Sequence, residues 1–430
     1  MKIALRIGLI LIQVITLTFL ACGSVVRQSE QWGECRFAQF ELEQFVRQFQ
    51  RQHRVAAYLD IQPFDHRALS PWLLPKYITI DILLVDKTNI GYSVKPMKRL
   101  GNLFEKVADI DNIEKAYLAA RVGKKHYREV KEIEKNRYKY LSDLREMLLS
   151  ETYRNSKYVT FQRWSGYKLR EIYKLPFYPD RLLHHAIVQI LQPMWIDLLI
   201  RDTFSTIPGR GIHDGVNRIK TALRDKGNTT YCLKFDIRKF YPSVDHDILK
   251  AILRKKIKDD RLLVVLDNIV ESAPGIPIGN YISQWFGNIY LAYFDHYMKE
   301  QGRTHYYYRY CDDVVILSGD KKQLWKMFES AKQYLADNLH LTVKSNYQIF
   351  PVNARGIDFL GYRFFHDELL VRKSIVKAFK QKLKTSRDAQ HLQRSAASYY
   401  GWFIHANSIG LLKKYFSHEA KLYDTPARHS

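Results

Sequence analysis

The chain has 430 residues, enough for one multi-lobed unit or two to three subdomains around a large core. Its 68 Lys and Arg against 44 Asp and Glu leave a formal charge of +24. That excess goes far beyond what solubility requires and points to a polyanionic partner. Four cysteines, none in a Cys-x-x-Cys pair or at zinc spacing with histidines, exclude a structural zinc module and fit a reducing compartment. The 29 Tyr and 22 Phe add stacking surface that a nucleic-acid groove can use.

In chain order, Lys2 and Arg6 precede the uncharged stretch Ile7 to Val26, which holds Leu20-Ala21-Cys22-Gly23 near its end. It has the charged and apolar regions of a signal peptide and the length of a marginal membrane span. Residues 31–70 read as a Gln- and Arg-rich helical segment, clearest from Glu41 to Arg54. Tyr77 to Val85 is strand-like, with a turn at Asn89-Ile90-Gly91. Residues 111–155 are expected to form long helices with solvated, charge-mixed faces.

Lys168-Leu169-Arg170-Glu171-Ile172 then precedes Pro176 and Pro179-Asp180-Arg181-Leu182, where Arg181 is expected to organise the fold through Asp180 or a backbone carbonyl. Thr203 to Thr206 leads into Gly209-Arg210-Gly211-Ile212-His213, whose glycines permit close backbone approach. Tyr231 to Asp236 alternates like a strand and leaves Asp236 at its end. Gly275 to Gly279 is a Pro/Gly loop entering a helix with Trp285, Ile289 and Ala292 on one face. Tyr306-Tyr307-Tyr308 and Val314 to Leu317 are β-branched and aromatic, so they read as two buried strands joined by a tight turn, Tyr310-Cys311-Asp312-Asp313. Leu339 to Lys344 is strand-like. Ser374 to Lys384 reads as a basic helix, and Ser398 begins a second one. Residues 370–430 carry twelve Lys or Arg against three acids.

The turn with two adjacent carboxylates is the most telling of these features. Like charges on neighbouring residues repel, and desolvation penalises both, unless divalent cations compensate them. An acidic surface turn is the competing reading, since turns are rich in Asp for ordinary reasons. Asp236, at the end of a separate strand, decides between them. Two-metal phosphoryl transfer needs carboxylates from separate elements converging on two Mg2+ ions about 3.5–4 Å apart. Asp236, Asp312 and Asp313 are about the number that Mg2+ takes beside phosphate oxygens.

Phe235-Asp236-Ile237-Arg238-Lys239-Phe240-Tyr241, then Gly275-Ile276-Pro277-Ile278-Gly279 running to Ser283-Gln284 and Asn288, then Tyr-Cys-Asp-Asp, resemble the successive palm motifs of reverse transcriptases in order and spacing. Asn112 to Tyr117 with Ala120 to Lys125 resembles the opening helix of group II intron-like, diversity-generating and defence-associated bacterial enzymes. Ile278-Gly279 with Ser283-Gln284 departs from the Gln-Gly and Ser-Pro pairs of group II intron enzymes and is closer to diversity-generating and unknown-group, defence-associated enzymes; the chain as a whole most resembles a class-two-like defence-associated reverse transcriptase.

The resemblance covers about residues 111 to 416 and implies an α/β right-hand polymerase, with an α+β palm built on an antiparallel sheet. The expected divisions are a hydrophobic segment over 1–30, an N-terminal extension over 31–110, helical fingers over 111–222, a palm over 223–363 and a short helical thumb over 364–430.

It also implies roles. Asp236, Asp312 and Asp313 would bind two Mg2+ ions, with the Ile237 carbonyl as a further ligand. Lys344 would serve as general acid near the leaving pyrophosphate, against the alternative of an exposed strand-end lysine. Lys168 and Arg170 would face the incoming dNTP, where Arg can bind phosphate bidentately, against a surface-charge reading of each. Tyr241 would sit under the nucleotide sugar and exclude a ribose 2′-hydroxyl, unless Phe240 takes that place and Tyr241 belongs to the core. Gly279 and Gln284 would lie under the templating pair. Arg210, Tyr310, Leu360 and Gly361 would meet template and primer, the last two in the primer grip formed by Asp358 to Tyr362.

The implied partners are dNTPs, an RNA–DNA duplex and a template RNA, expected to be a noncoding RNA encoded nearby, copied in antiphage defence. Export would part a polymerase from its nucleotides, so a cytoplasmic location is expected, with Ile7 to Val26 read as a mis-called start or a buried or fraying helix, against the alternative of a membrane anchor. The rival readings are a diversity-generating enzyme and, from another class, a non-catalytic RNA-binding protein on a polymerase scaffold.

Overall fold

The structure, a computed structural model, describes residues 99–165, 168–385 and 389–416, without the side chains of 165, 168, 389–392 and 414. The expectations for residues 1–98, including Cys22, Cys35 and the hydrophobic segment, lie outside the described residues. Among the described residues, no helix is long and apolar enough to cross a membrane.

The first element of the fingers is α1 (Ile110–Ala120). Asp109 caps it, its side chain accepting from the backbone N–H groups of Asp111 and Asn112, an arrangement worth about 1 kcal/mol. Ile113, Ala116, Tyr117 and Ala120 recur at helical spacing and are all buried. Two charged helices follow, α2 (Arg128–Lys135) and α3 (Arg137–Leu149), which bury only short apolar stripes. An antiparallel hairpin, β1 (Val159–Ser165) with β2 (Lys168–Lys174), carries the expected Lys-x-Arg on its second strand. The long apolar helix α4 (Leu182–Leu198) then runs through the core.

The palm is a five-stranded sheet in the order β3-β5-β6-β4-β7. Its strands are β3 (Thr203–Phe204), β4 (Tyr231–Asp236), β5 (Tyr306–Tyr310), β6 (Asp313–Ser318) and β7 (Gln348–Pro351). All pairings are antiparallel except β3 with β5, which is parallel. The sheet is buried on both faces, and strand periodicity shows why. Leu233, Phe235, Tyr307, Val314 and Ile316 join the core shared with the fingers. Their neighbours Cys232, Tyr308, Val315 and Leu317 join a second core shared with the thumb. Burial on both faces makes these strands read as continuous apolar runs.

Helices α5 (Ile212–Ala222), α6 (His246–Arg254), α7 (Asp260–Val270), α8 (Ser283–Tyr290) and α9 (Lys321–Leu339) complete the palm and its backing. A small three-stranded sheet follows, of β8 (Ile357–Phe359), β9 (Tyr362–Phe364) and β10 (Leu369–Val371). The thumb adds α10 (Lys373–Thr385), α11 (Ala389–Phe403) and α12 (Ile409–Phe416), which gather around Phe379, Phe403 and Phe416.

Two elements differ from the sequence reading. Leu339 to Lys344 is no strand: α9 extends to Leu339, His340 caps it in the left-handed region (φ +51°), and a single bridge joins Val343 to Ile237. The second thumb helix begins at Ala389 rather than Ser398, because the Ala- and Gln-rich residues before Ser398 favour helix as well as those after it.

Candidate active site

Asp236 and Asp313 are directly paired across β4 and β6. The β5–β6 hairpin closes at the pair Tyr310–Asp313, so Cys311 and Asp312 form a two-residue loop. Cys311 takes the left-handed conformation such loops need (φ +53°). The Asp312 carbonyl accepts from the Ile237 N–H at 3.2 Å, tying the loop to the residue after Asp236. Strand pairing thus places Asp236 and Asp313 side by side at the ends of two inner strands, with Asp312 on the adjoining loop.

Each outer carboxylate is held by a lysine. Lys344 Nζ lies 2.5 Å from Asp236 Oδ2, and its backbone N–H donates to the Asp236 carbonyl at 2.9 Å. Lys234 Nζ lies 3.2 Å from Asp313 Oδ2 and also donates to the Asp358 carbonyl. The opposite oxygens, Asp236 Oδ1 and Asp313 Oδ1, are buried without a hydrogen-bond partner. Burial pushes Asp312 up to about 6, helped by the neighbouring Asp236 carboxylate. Burial likewise raises Asp313 to about 6, opposed by Lys234.

Buried carboxylate oxygens with no donor, in a cluster that resists full ionisation, fit a divalent cation. Yet among the described residues no three His, Cys, Asp or Glu side chains stand close enough to hold an ion together. The geometry as it stands offers pairs of carboxylates, with lysines on the flanks.

Tyr241 opens a 3-10 turn after β4. Its hydroxyl lies against the Cys311 thiol near Asp312, and burial pushes the phenol well up. Phe240 is 2% exposed and belongs to the main core. Tyr241 is the aromatic beside the carboxylates, and it too packs against that core. Gly275 lies behind it: a Cβ there would come 2.4 Å from the Tyr241 carbonyl oxygen.

The loop ending at Gly279 touches the fingers. Tyr173 N–H on β2 donates to the Ile278 carbonyl at 2.8 Å, and a Cβ at Gly279 (φ +130°) would come 2.3 Å from the Tyr173 carbonyl oxygen. Gln284 is exposed and accepts from Thr206 Oγ1 at 2.7 Å. Asn288 is buried and braces the site, donating to the Ser205 carbonyl at 3.0 Å and accepting from Arg309 at 3.2 Å. Ser205 and Thr206 both have positive φ, 91° and 64°, so this turn is strained where it abuts Cys311.

The remaining predicted residues are spread outward. Arg170 is exposed on β2 opposite Arg163, and Lys168 faces Ser165 at the hairpin's end. Arg210 donates to the Ile200 carbonyl at 3.1 Å. Tyr310 is half-buried beside Asp313 and Ser205. Leu360 (φ +52°) and Gly361 (φ +84°) form the β8–β9 turn. Leu360 packs on Gly215, and the space where Gly361 would carry a Cβ is filled by Trp402. That turn joins palm to thumb.

Three residues of the site escaped the sequence reading. Lys234 shares a strand face with Asp236 by its two-residue spacing, a signal that was available. Arg309 and Asp295, both 0% exposed, form a buried ion pair at 2.6 Å. Asp295 also accepts from Tyr307 at 2.6 Å and Thr203 at 2.9 Å. Arg309 in turn donates to the Cys311 carbonyl at 2.8 Å, anchoring the loop that carries Asp312. A charge inside an aromatic strand marks Arg309, whereas nothing local marks Asp295.

Residues 167–364 match the family "Reverse transcriptase (RNA-dependent DNA polymerase)". Protein YkfC of Escherichia coli (strain K12) is 26% identical over 270 residues, 52% of this chain and 70% of YkfC. Group II intron-encoded protein LtrA of Lactococcus lactis subsp. cremoris is 23% identical over 137 residues, 29% of this chain and 22% of LtrA. Among solved structures, apo telomerase from Candida Tropicalis is similar with a TM-score of 0.42 at 13% identity, covering 57% of this chain and 52% of that one. The chain thus spans about half of that telomerase chain and under a quarter of LtrA.

Proposed function

We propose that this chain is a bacterial, group II-like reverse transcriptase, an RNA-directed DNA polymerase that adds dNTPs to a 3′-hydroxyl at the Asp236–Asp312–Asp313 end of the palm strands. The observation carrying this reading is the pairing of Asp236 with Asp313 beside a loop that presents Asp312.

Asp236, Asp312 and Asp313 would hold Mg2+, with the Ile237 carbonyl as the expected further ligand. Bound there, Mg2+ supplies activation of the 3′-hydroxyl and charge neutralisation at the leaving pyrophosphate. The protein's own groups do the rest. Lys344 sits on Asp236, where an ammonium can hold the carboxylate in place and donate a proton toward a departing oxygen. Lys234 balances Asp313 from the other flank. Tyr241 presents its ring beside Cys311 and Asp312 and excludes a ribose 2′-hydroxyl by bulk. Arg170 and Lys168, on a hairpin whose Arg163–Arg170 pair sets like charges opposite each other, await the triphosphate. Gly279 and Gln284 set the floor under the templating pair. Arg210, Tyr310, Leu360 and Gly361 guide template and primer, Leu360 and Gly361 by holding the palm–thumb junction.

The template is proposed to be a dedicated noncoding RNA, copied in antiphage defence and in the cytoplasm. The test is to purify the protein with its nucleic acid from its own locus and sequence RNA and DNA separately. Complementary DNA that disappears in Asp312→Ala/Asp313→Ala supports the reading. Bound RNA without carboxylate-dependent DNA refutes it in favour of an RNA-binding protein.

A further inference from the structure

A cavity with several polar lining groups lies in the fingers. It has a volume of about 200 Å³ and opens between the α1–α2 turn, β2 and the start of α4. Lys124, Tyr127, Phe161, Arg181, His184 and Tyr281 line it. Its polar groups are under-used. Arg181 Nε is buried with no acceptor, and among the described residues no carboxylate forms an ion pair with this guanidinium. His184 is 1% exposed, and its Nε2 also lacks a partner. His185, stacked on Tyr281 at 3.8 Å, has an equally unpartnered Nε2. Asp180, the expected partner of Arg181, is instead taken by Tyr153 at 2.9 Å and the Ser156 N–H at 3.0 Å. The one lining carboxylate, Glu129, accepts from the Phe177 N–H at 2.5 Å.

Arg181 is half-buried, and partial desolvation of a guanidinium without a counter-charge is unfavourable, a cost that a ligand can offset. Positive charge is in excess here, with Lys124, Lys174 and Arg181 against Glu129. Burial, then the proximity of Arg181, lowers Lys124, and the same two causes push His184 down to about 3. The imidazole is therefore neutral and able to act as a hydrogen-bond donor beside the two cations.

We propose that this cavity binds a backbone phosphate of a single-stranded nucleic acid, with Arg181 and Lys124 supplying charge and His184 a hydrogen bond. Size selects the class. Sites for whole small molecules run from roughly 300 to 1,000 Å³, so about 200 Å³ suits one phosphate and its sugar rather than a free nucleotide. Phe161 and Tyr127, exposed to 43% and 45%, stand on its walls, where flanking bases can stack. Gly279 is also a lining residue, so an occupied pocket lies against the loop that leads into the palm. The proposal rests on the polymerase reading only for the identity of the strand.

The test is fluorescence anisotropy of the full chain with a labelled single-stranded RNA, without dNTP or Mg2+, against salt. Wild type is compared with Arg181→Met and Lys124→Met, and the RNA is scanned with single neutral methylphosphonate linkages. Each variant should weaken binding about tenfold, the loss typical of one charge-assisted contact, and lower the log–log salt slope by about one. One methylphosphonate position should weaken wild type and have no further effect on Arg181→Met. Thermal unfolding of Arg181→Met should match or exceed wild type, because a half-buried charge without a carboxylate partner among the described residues has gone. Unchanged RNA affinity in both variants, or a methylphosphonate scan with no sensitive position, overturns the proposal. If Arg181→Met does not fold, Lys124→Met and the wild-type scan decide alone. Polymerisation failing while these binding results stand would sink the polymerase reading and leave the pocket intact.

Discussion

Removing Asp295 tests how the Asp312 loop is held. In Asp295→Leu, Arg309 stays at 0% exposure and loses its bonds at 2.7 Å and 2.6 Å. The Tyr307 and Thr203 hydroxyls lose their acceptor as well. Breaking a buried pair from one side costs about 3–5 kcal/mol, and each orphaned hydroxyl adds about 1 kcal/mol or more. Asp295→Leu should therefore lose about 5 kcal/mol, enough to unfold many domains.

Replacing both partners, in Arg309→Met/Asp295→Leu, removes the uncompensated charge and should recover at least about 2 kcal/mol relative to Asp295→Leu, a positive coupling in a double-mutant cycle. Urea unfolding of the four proteins measures both quantities. The recovered double variant still lacks the Arg309 contact to the Cys311 carbonyl, so its primer-extension rate should fall about tenfold to a hundredfold through misplacement of Asp312. A single variant costing under about 1 kcal/mol, or a double variant equal to the sum of the singles, would refute the account of a charge pair that sets the loop.

Tyr241→Ala should raise ribonucleotide incorporation relative to deoxyribonucleotide by at least about tenfold in primer extension with mixed substrates, if its ring is the steric barrier. Asp312 and Asp313 stand at about 6 in the folded chain, above the unfolded value of about 3.9. The stability tied to them is therefore present below pH 4 and lost as pH rises through 6. In metal-free buffer, Asp312→Asn/Asp313→Asn should flatten the fall in Tm between pH 4 and 6 relative to wild type. A parallel pH profile for the two proteins contradicts the burial argument. Gly279→Ala meets a carbonyl at 2.3 Å and a φ of +130°. It should cut extension by more than about tenfold, with a Tm loss of a few degrees seen by thermal unfolding.

Much of the site was legible because it is built from local patterns. The two-residue loop, its flanking apolar strands and the strand ending at Asp236 announce themselves by composition and period, and strand pairing then brings the carboxylates together. What stayed hidden depends on contacts distant in sequence. Asp295 pairs with Arg309 from a helix with no local signal, and Lys344 reaches Asp236 across 108 residues through a bridge rather than a strand. Leu339 to Lys344 looked extended because apolar and polar residues alternate there, but the helix before it outlasts that alternation. Leu360 and Gly361 read from sequence as part of a primer grip. The packing of Gly361 on Trp402, 41 positions later in the chain, is invisible until the thumb folds back.

The bond from the Tyr173 N–H to the Ile278 carbonyl makes the fingers hairpin and the Gly275–Gly279 loop one mechanical part. With the Gly279 Cα seated against the Tyr173 carbonyl, no slack separates the two. Any swing of β1 and β2 must break that bond or drag the loop with it. The loop is in turn bonded at its other end, Ile276 N–H to the Tyr241 carbonyl at 2.8 Å. On the proposed roles, a displacement begun where the hairpin would meet a triphosphate would be delivered to Tyr241, the residue proposed to gauge the sugar. Nucleotide arrival and sugar inspection would then be two readings of a single lever.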